Sequence, residues 1–299
     1  MLGQGHRETV KTTALITFGF LSCVASAQIP DVKIKGDFSL GLVSSKDFSL
    51  GAKSYTVLGR YSTFSLQATL PVGLKVFLSE RSETITNDPD QESFDEYYVE
   101  DPGSWRVGKQ YIPFGSGGFF RQSVLSARVD SKLLLEGLPL SIAFVDGGKG
   151  RQYGISGRVG SRGLGVSFCI GRHWGINSTA LGLTQSLQAP EGIGNGWKQA
   201  YGIDLNRRSG KVTYRTEVLL LSEAEGTSTD KELGDIQVGY DLGHRHSANF
   251  GISKSFGDTD ILYRFGGVYN VAKGVQIESL YRLTNGNFRD FSVFVRIRF

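Results

Sequence analysis

Residues 288–299 read Phe-Arg-Asp-Phe-Ser-Val-Phe-Val-Arg-Ile-Arg-Phe, and this alternation constrains the chain more than any other feature. Successive side chains on a strand point to opposite faces. Phe291, Val293, Val295, Ile297 and Phe299 therefore share one face, and Asp290, Ser292, Phe294, Arg296 and Arg298 share the other. A soluble sheet can alternate in the same way. The discriminating question is whether every other strand also carries one face fit for lipid and one fit for water.

The rest of the chain keeps the pattern. Val32, Ile34, Phe38, Leu40 and Leu42 oppose Lys33, Lys35, Asp37 and Ser39. Phe64, Leu66, Ala68 and Leu70 oppose Ser65, Gln67 and Thr69, and the different phase around Tyr55, Val57 and Tyr61 predicts a bulge near Ser62. Val212, Tyr214, Val218 and Leu220 oppose Thr213, Arg215 and Glu217, and Tyr263, Phe265 and Tyr269 oppose Arg264 and Asn270. Pro71-Val72-Gly73, Asp101-Pro102-Gly103, Glu136-Gly137 and Asn285-Gly286 punctuate the strands as turns. The 40 glycines against 7 prolines suit many short strands joined by tight turns. A mean hydropathy of −0.15 excludes a bundle of membrane helices. It does not exclude a spanning barrel, in which only alternate residues meet lipid.

A closing strand with a continuous apolar face, charges opposite and a terminal Phe resembles the last strand of the Gram-negative outer-membrane barrels. That resemblance implies an all-β fold: a transmembrane antiparallel β-barrel of about sixteen strands with both termini periplasmic. It also implies that Phe299 is the signal read by the barrel-assembly machinery. The strand lengths agree. About sixteen strands in about 272 residues leave roughly seventeen each, enough for the 9–11 that cross a membrane plus a connection. The longest polar stretches, 80–92, 175–197 and 222–232, all follow odd-numbered strands and so share one end, the external one.

Residues 1–27 read as an export signal. Arg7 and Lys11 flank an apolar run, 13–24, too short to span a bilayer as a helix, and Ala25-Ser26-Ala27 fits a small-x-small cleavage site. The barrel is then residues 28–299. Its sole cysteine, Cys169, permits no intrachain disulfide. Removing Arg7, Lys11 and Glu8 from 33 basic and 29 acidic residues leaves a charge of about +3, too balanced for a nucleic-acid partner.

Function rests on the wet face. Arg60, Lys75, Arg106, Lys109, Arg121, Arg128, Lys132, Arg158, Arg215, Arg264 and Arg282 are its candidate channel-lining cations, with Asp130, Asp204, Glu217, Asp235, Glu278 and Asp290 among them. On the lipid face such charges would cost about 2–4 kcal/mol each at mid-bilayer, so they belong in a lumen or near a rim. A basic excess favours anions, although charges on such a wall can simply pair with one another. Residues 105–115, Trp-Arg-Val-Gly-Lys-Gln-Tyr-Ile-Pro-Phe-Gly, resemble the strand of sixteen-stranded porins that leads into the loop folded inside the channel. The Pro113-Phe114-Gly115 run leans toward the phosphate-selective type. The resemblance places Lys109 at the constriction and residues 115–121 in the loop. Strict alternation instead groups Lys109 with Trp105 and Val107, so either Arg106 faces the lumen or a bulge re-aims Lys109.

The expected function is an outer-membrane porin: a water-filled channel for passive diffusion of small hydrophilic solutes and ions, with a mild anion preference. A plugged barrel serving as adhesin or structural protein is the alternative. An outer-membrane hydrolase is a third reading, but His244 and His246 fall in a turn expected on the periplasmic side, and His173 gathers no convincing acid or nucleophile. No enzyme activity, cofactor or metal is expected. Outer-membrane lipid and lipopolysaccharide, the assembly machinery and small anions are the expected partners, and the resemblance implies a homotrimer.

Overall fold

The computed structural model describes residues 30–45, 50–53, 62–81, 94–116, 123–131, 137–146, 153–172, 197–223, 231–256 and 261–299. They form seventeen strand segments: β1 (Asp31–Ser45), β2 (Leu50–Lys53), β3 (Thr63–Thr69), β4 (Lys75–Arg81), β5 (Phe94–Asp101), β6 (Trp105–Tyr111), β7 (Ser123–Ser131), β8 (Leu140–Asp146), β9 (Tyr153–Gly160), β10 (Leu164–Arg172), β11 (Trp197–Ser209), β12 (Val212–Glu223), β13 (Lys231–Gly243), β14 (His246–Ser255), β15 (Ile261–Ala272), β16 (Val275–Thr284) and β17 (Asn287–Arg298). From β3 onward each pairs antiparallel with the next, and β17 returns to β1 through Asp37↔Arg298 to Ser45↔Asp290. The sheet is a closed barrel with no free edge.

Seventeen segments make sixteen staves. One half of β1 pairs with β3 from Asp31↔Thr69 to Asp37↔Thr63, and the other half with β2 from Gly41↔Lys53 to Ser44↔Leu50. β2 and β3 thus continue each other along one side of β1. The two ladders stop at Asp37↔Thr63 and resume at Gly41↔Lys53. Ser62 bridges this break: the Ser39 amide donates to its Oγ at 2.8 Å, and the hydroxyl donates to the Ser39 carbonyl at 3.2 Å. The residues whose phase predicts a bulge near Ser62 lie outside the described residues. Arg60, Tyr55, Val57 and Tyr61 lie outside the described residues, as do most of 80–92, 175–197 and 222–232.

The two faces are inverted relative to a soluble protein. Leu40 is 67% exposed, whereas Asp204, Glu217 and Asp235 are each 1% exposed. The outward set contains Val32, Ile34, Phe38, Leu42, Ile203, Val218, Ile236, Phe265, Val295 and Ile297, in the phase read from the sequence. So large an apolar exterior in water would be an aggregation surface. In a bilayer it is the lipid contact. Val32 to Leu42 spans about 34 Å of strand, which at a tilt of about 45° gives a band about 24 Å tall, the height of an outer-membrane hydrocarbon belt.

Closure ends on Phe299. Its amide donates to the Gly36 carbonyl at 3.1 Å, the Gly36 amide donates back at 3.0 Å, and its ring stacks on Phe38 with centroids 6.0 Å apart. A Cβ on Gly36 would stand 2.6 Å from the Phe299 ring, so this contact needs a glycine there.

Candidate functional site: the lumen wall and an inward segment

Inward side chains form rungs around the barrel, set by the ladder registers. Arg106 lies opposite Arg128, Asn206 opposite Arg215, Arg215 opposite Gln237, and Arg264 opposite Arg282. These cations are half-buried or buried, and burying a charge demands a partner. Arg106 donates twice to Glu100, at 3.0 and 2.7 Å, with its guanidinium 4.0 Å above the Tyr98 ring, and Lys75 is 4.0 Å from the same carboxylate. Arg128 pairs with Asp130 at 2.8 Å. Arg282 donates to both oxygens of Asp290 at 2.6 and 2.5 Å. Arg296 bridges Asp37 and Glu278.

Two further pairs skip a strand. Arg158 on β9 reaches across β10 to Asp204 on β11, with contacts of 3.0 and 2.7 Å. Arg264 on β15 reaches across β14 to Asp235 on β13. Each guanidinium lies flat over a glycine of the intervening strand. A Cβ would stand 2.3 Å from Arg158 at Gly165 and 2.9 Å from Arg264 at Gly251. The missing side chains are what permit the reach.

Of the proposed cations, Lys75, Arg106, Arg128, Arg158, Arg264 and Arg282 thus each face a carboxylate. Arg215 differs: it donates to Ser116 Oγ at 2.9 Å and to the Ser116 carbonyl at 2.8 Å. The β6–β7 ladder has no register slip, so no bulge turns Lys109. Lys109 is completely buried, opposite Tyr97 and Leu125 in its two ladders, whereas Arg106 is half-buried on its Glu100 partner. Arg60, Arg121 and Lys132 lie outside the described residues.

After β6 the chain turns inward. Residues 112–116 run against the inner wall from β9 to β12. Ser156 donates to the Pro113 carbonyl at 3.2 Å, the Gly115 amide donates to Ser167 Oγ at 2.9 Å, and Ser116 Oγ donates to Glu217 at 2.7 Å. The Phe114 ring rests on Gly202. Gly115, at φ +55°, sits so close to Glu217 that a Cβ would be 2.0 Å from the carboxylate. Ile112 and Phe114 join Val124, Val145, Cys169, Ala200, Leu219, Leu233 and Leu262 in one buried apolar cluster on the inner side of the barrel. Of the expected loop 115–121, residues 115 and 116 are described, and they lie with 112–114 against the inner wall. The anchors Ser116, Ser156 and Ser167 were not singled out in the sequence. Their only signal is a small hydroxyl at inward positions of neighbouring staves.

A cavity of about 730 Å³ lies at the rim carrying the short turns, lined by residues of β11 to β15 and of the turns between them. His244 sits in the β13–β14 turn at φ 47°, and His246 stacks on Tyr269 at 4.6 Å. His173 lies outside the described residues. Among the described residues no group of three His, Cys, Asp or Glu side chains could hold a metal.

No family model matches this sequence, and no curated protein matches it. Solved structures do. OmpT, an outer membrane protein of Vibrio cholerae solved in its trimer form, superposes with a TM-score of 0.59 at 10% identity, covering 91% of this chain and all of that one. The anion-selective porin from Comamonas acidovorans gives 0.58 at 10% identity over 90% and 99% of the two chains. A mutant of the Rh. blastica porin gives 0.55 at 12% identity over 90% and 100%. With a closed sheet of sixteen staves, an apolar exterior and an ion-paired lumen, the chain has the fold of the sixteen-stranded outer-membrane porins.

Proposed function

We propose that this protein is a porin of the Gram-negative outer membrane, conducting small hydrophilic solutes and ions passively, with a mild anion preference. The observation that carries the reading is a closed barrel whose inner wall bears paired ionic rungs and an inward-folded segment, 112–116. The likeness in fold to porins, one of them named as anion-selective, supports it. The preference is mild because most lining cations face a carboxylate, so the field of each pair falls away quickly. Arg215, bonded to Ser116 rather than to a carboxylate, is the main local source of positive charge. Nothing in this role requires catalysis or a cofactor.

The proposal includes export directed by residues 1–27, assembly read from Phe299, short turns and both termini in the periplasm, lipid and lipopolysaccharide around the barrel, and a homotrimer. Purified protein in planar bilayers should give stepwise conductance, with a reversal potential in a KCl gradient on the chloride side of zero. Folded protein that inserts without conducting overturns the reading. The buried apolar cluster inside the barrel favours one competitor, a plugged barrel with a structural or adhesive role, and that outcome would select it.

A further inference from the structure

We infer that the short-turn vestibule is a binding site for an anionic monosaccharide, a polyol of sugar size carrying one phosphate or carboxylate. It rests on the reading of the lumen as a solute passage and adds what that passage favours. The cavity holds about 730 Å³, many times the volume of a bare anion and within the range of small-molecule sites. Its charged lining is Arg208, Lys211, Arg215 and Arg245 against the single carboxylate Asp241, with His244 and His246 at the edge. Asp241 is 3.5 Å from Arg208 at the wetted mouth, and Arg245 is turned to the Val271 carbonyl. Arg215, at the inner end, is held in place by Ser116. Lys211 remains with no protein partner among the described residues.

Between these cations the wall carries carboxamides. Here Asn206 and Gln237 flank Arg215 on one rung, and Asn249 lies across Gly239 on the next. Carboxamides both donate and accept, which matches hydroxyl groups. Guanidinium and ammonium groups match a phosphate or carboxylate. A wall selecting a bare anion would use cations alone. This one sets amides beside cations, as a sugar bearing a charged group requires.

Titration calorimetry of the folded full-length barrel in detergent tests this directly, with glucose 6-phosphate, glucose and inorganic phosphate as probes. Glucose 6-phosphate should bind at least tenfold more tightly than either of the other two. The double substitution Arg208→Gln/Lys211→Gln should weaken it tenfold or more, and Asn249→Ala should narrow its advantage over inorganic phosphate. Arg162→Gln, on the same rim but outside the cavity, should leave binding unchanged. No binding, or equal affinity for all three probes, or an unaltered affinity in the double variant, overturns the inference. Bilayer conductance separates the two readings: channels without sugar-phosphate binding sink this one alone, and binding without channels sinks the porin reading.

Discussion

The strand-skipping pair Arg158–Asp204 offers the sharpest test of how the wall sets selectivity. Asp204→Asn removes one negative charge while keeping shape. Arg158 should stay in place, because its guanidinium also donates to the Ser161 carbonyl at 2.9 Å and its side chain keeps 19% exposure. One uncompensated positive charge then faces the lumen. For an ion passing about 6 Å away at 0.1 M salt, screened Coulomb attraction is about 0.4 kcal/mol. It acts with opposite sign on chloride and potassium, so the chloride-to-potassium permeability ratio should rise roughly fourfold. The reversal potential of single channels in a KCl gradient reads this directly, and the shift should shrink as salt is raised. Asp241→Asn, at the exposed mouth, should move it less. An unchanged reversal potential in folded Asp204→Asn, or a shift toward potassium, would refute the assignment of Arg158 to the ion path.

Gly251→Val places carbon where the Arg264 guanidinium lies and should separate it from Asp235; leaving those buried charges unpaired should cost about 3 kcal/mol, read as a lower urea midpoint. Ser116→Ala removes the hydroxyl that links Arg215 and Glu217, so the inward segment should loosen by about 1–2 kcal/mol and single-channel conductance should increase. Unchanged conductance in folded protein would mean that residues 112–116 do not limit the passage. Gly36→Val pushes the Phe299 ring off β1, and deletion of Phe299 removes it altogether. Both should lower the yield of folded barrel in the outer membrane while leaving export across the inner membrane intact, measured by fractionation.

Alternation along residues 288–299 and 32–42 was sufficient to assign lipid and water faces, because a two-residue period admits only two assignments and charge excludes one of them. The ladder Asp37↔Arg298 to Ser45↔Asp290 joins these two stretches directly. The site was less legible. Arg106, Arg128, Arg158, Arg264, Arg282 and Asp204 could be assigned to one face, but not the pairing of Arg158 with Asp204 or of Arg106 with Glu100. Lys109 was drawn to the constriction by motif resemblance, and its burial depends on packing around β6 that no local pattern encodes.

By itself the sequence determined the two-sidedness of most staves and their approximate number, and gathered the tight turns at one end. These follow from strand geometry and from the cost of placing a charge in hydrocarbon, both of which act residue by residue. The tertiary structure alone decided what the charges do. Whether an arginine is a free cation or half of an ion pair depends on which strands become neighbours and on a glycine lying between them. Arg158 and Asp204 are separated by 46 residues of chain, and Ser116 and Arg215 by 99, yet each pair is in hydrogen-bonding contact. Closure of the sheet brings them together, and closure is a property of all the ladders at once.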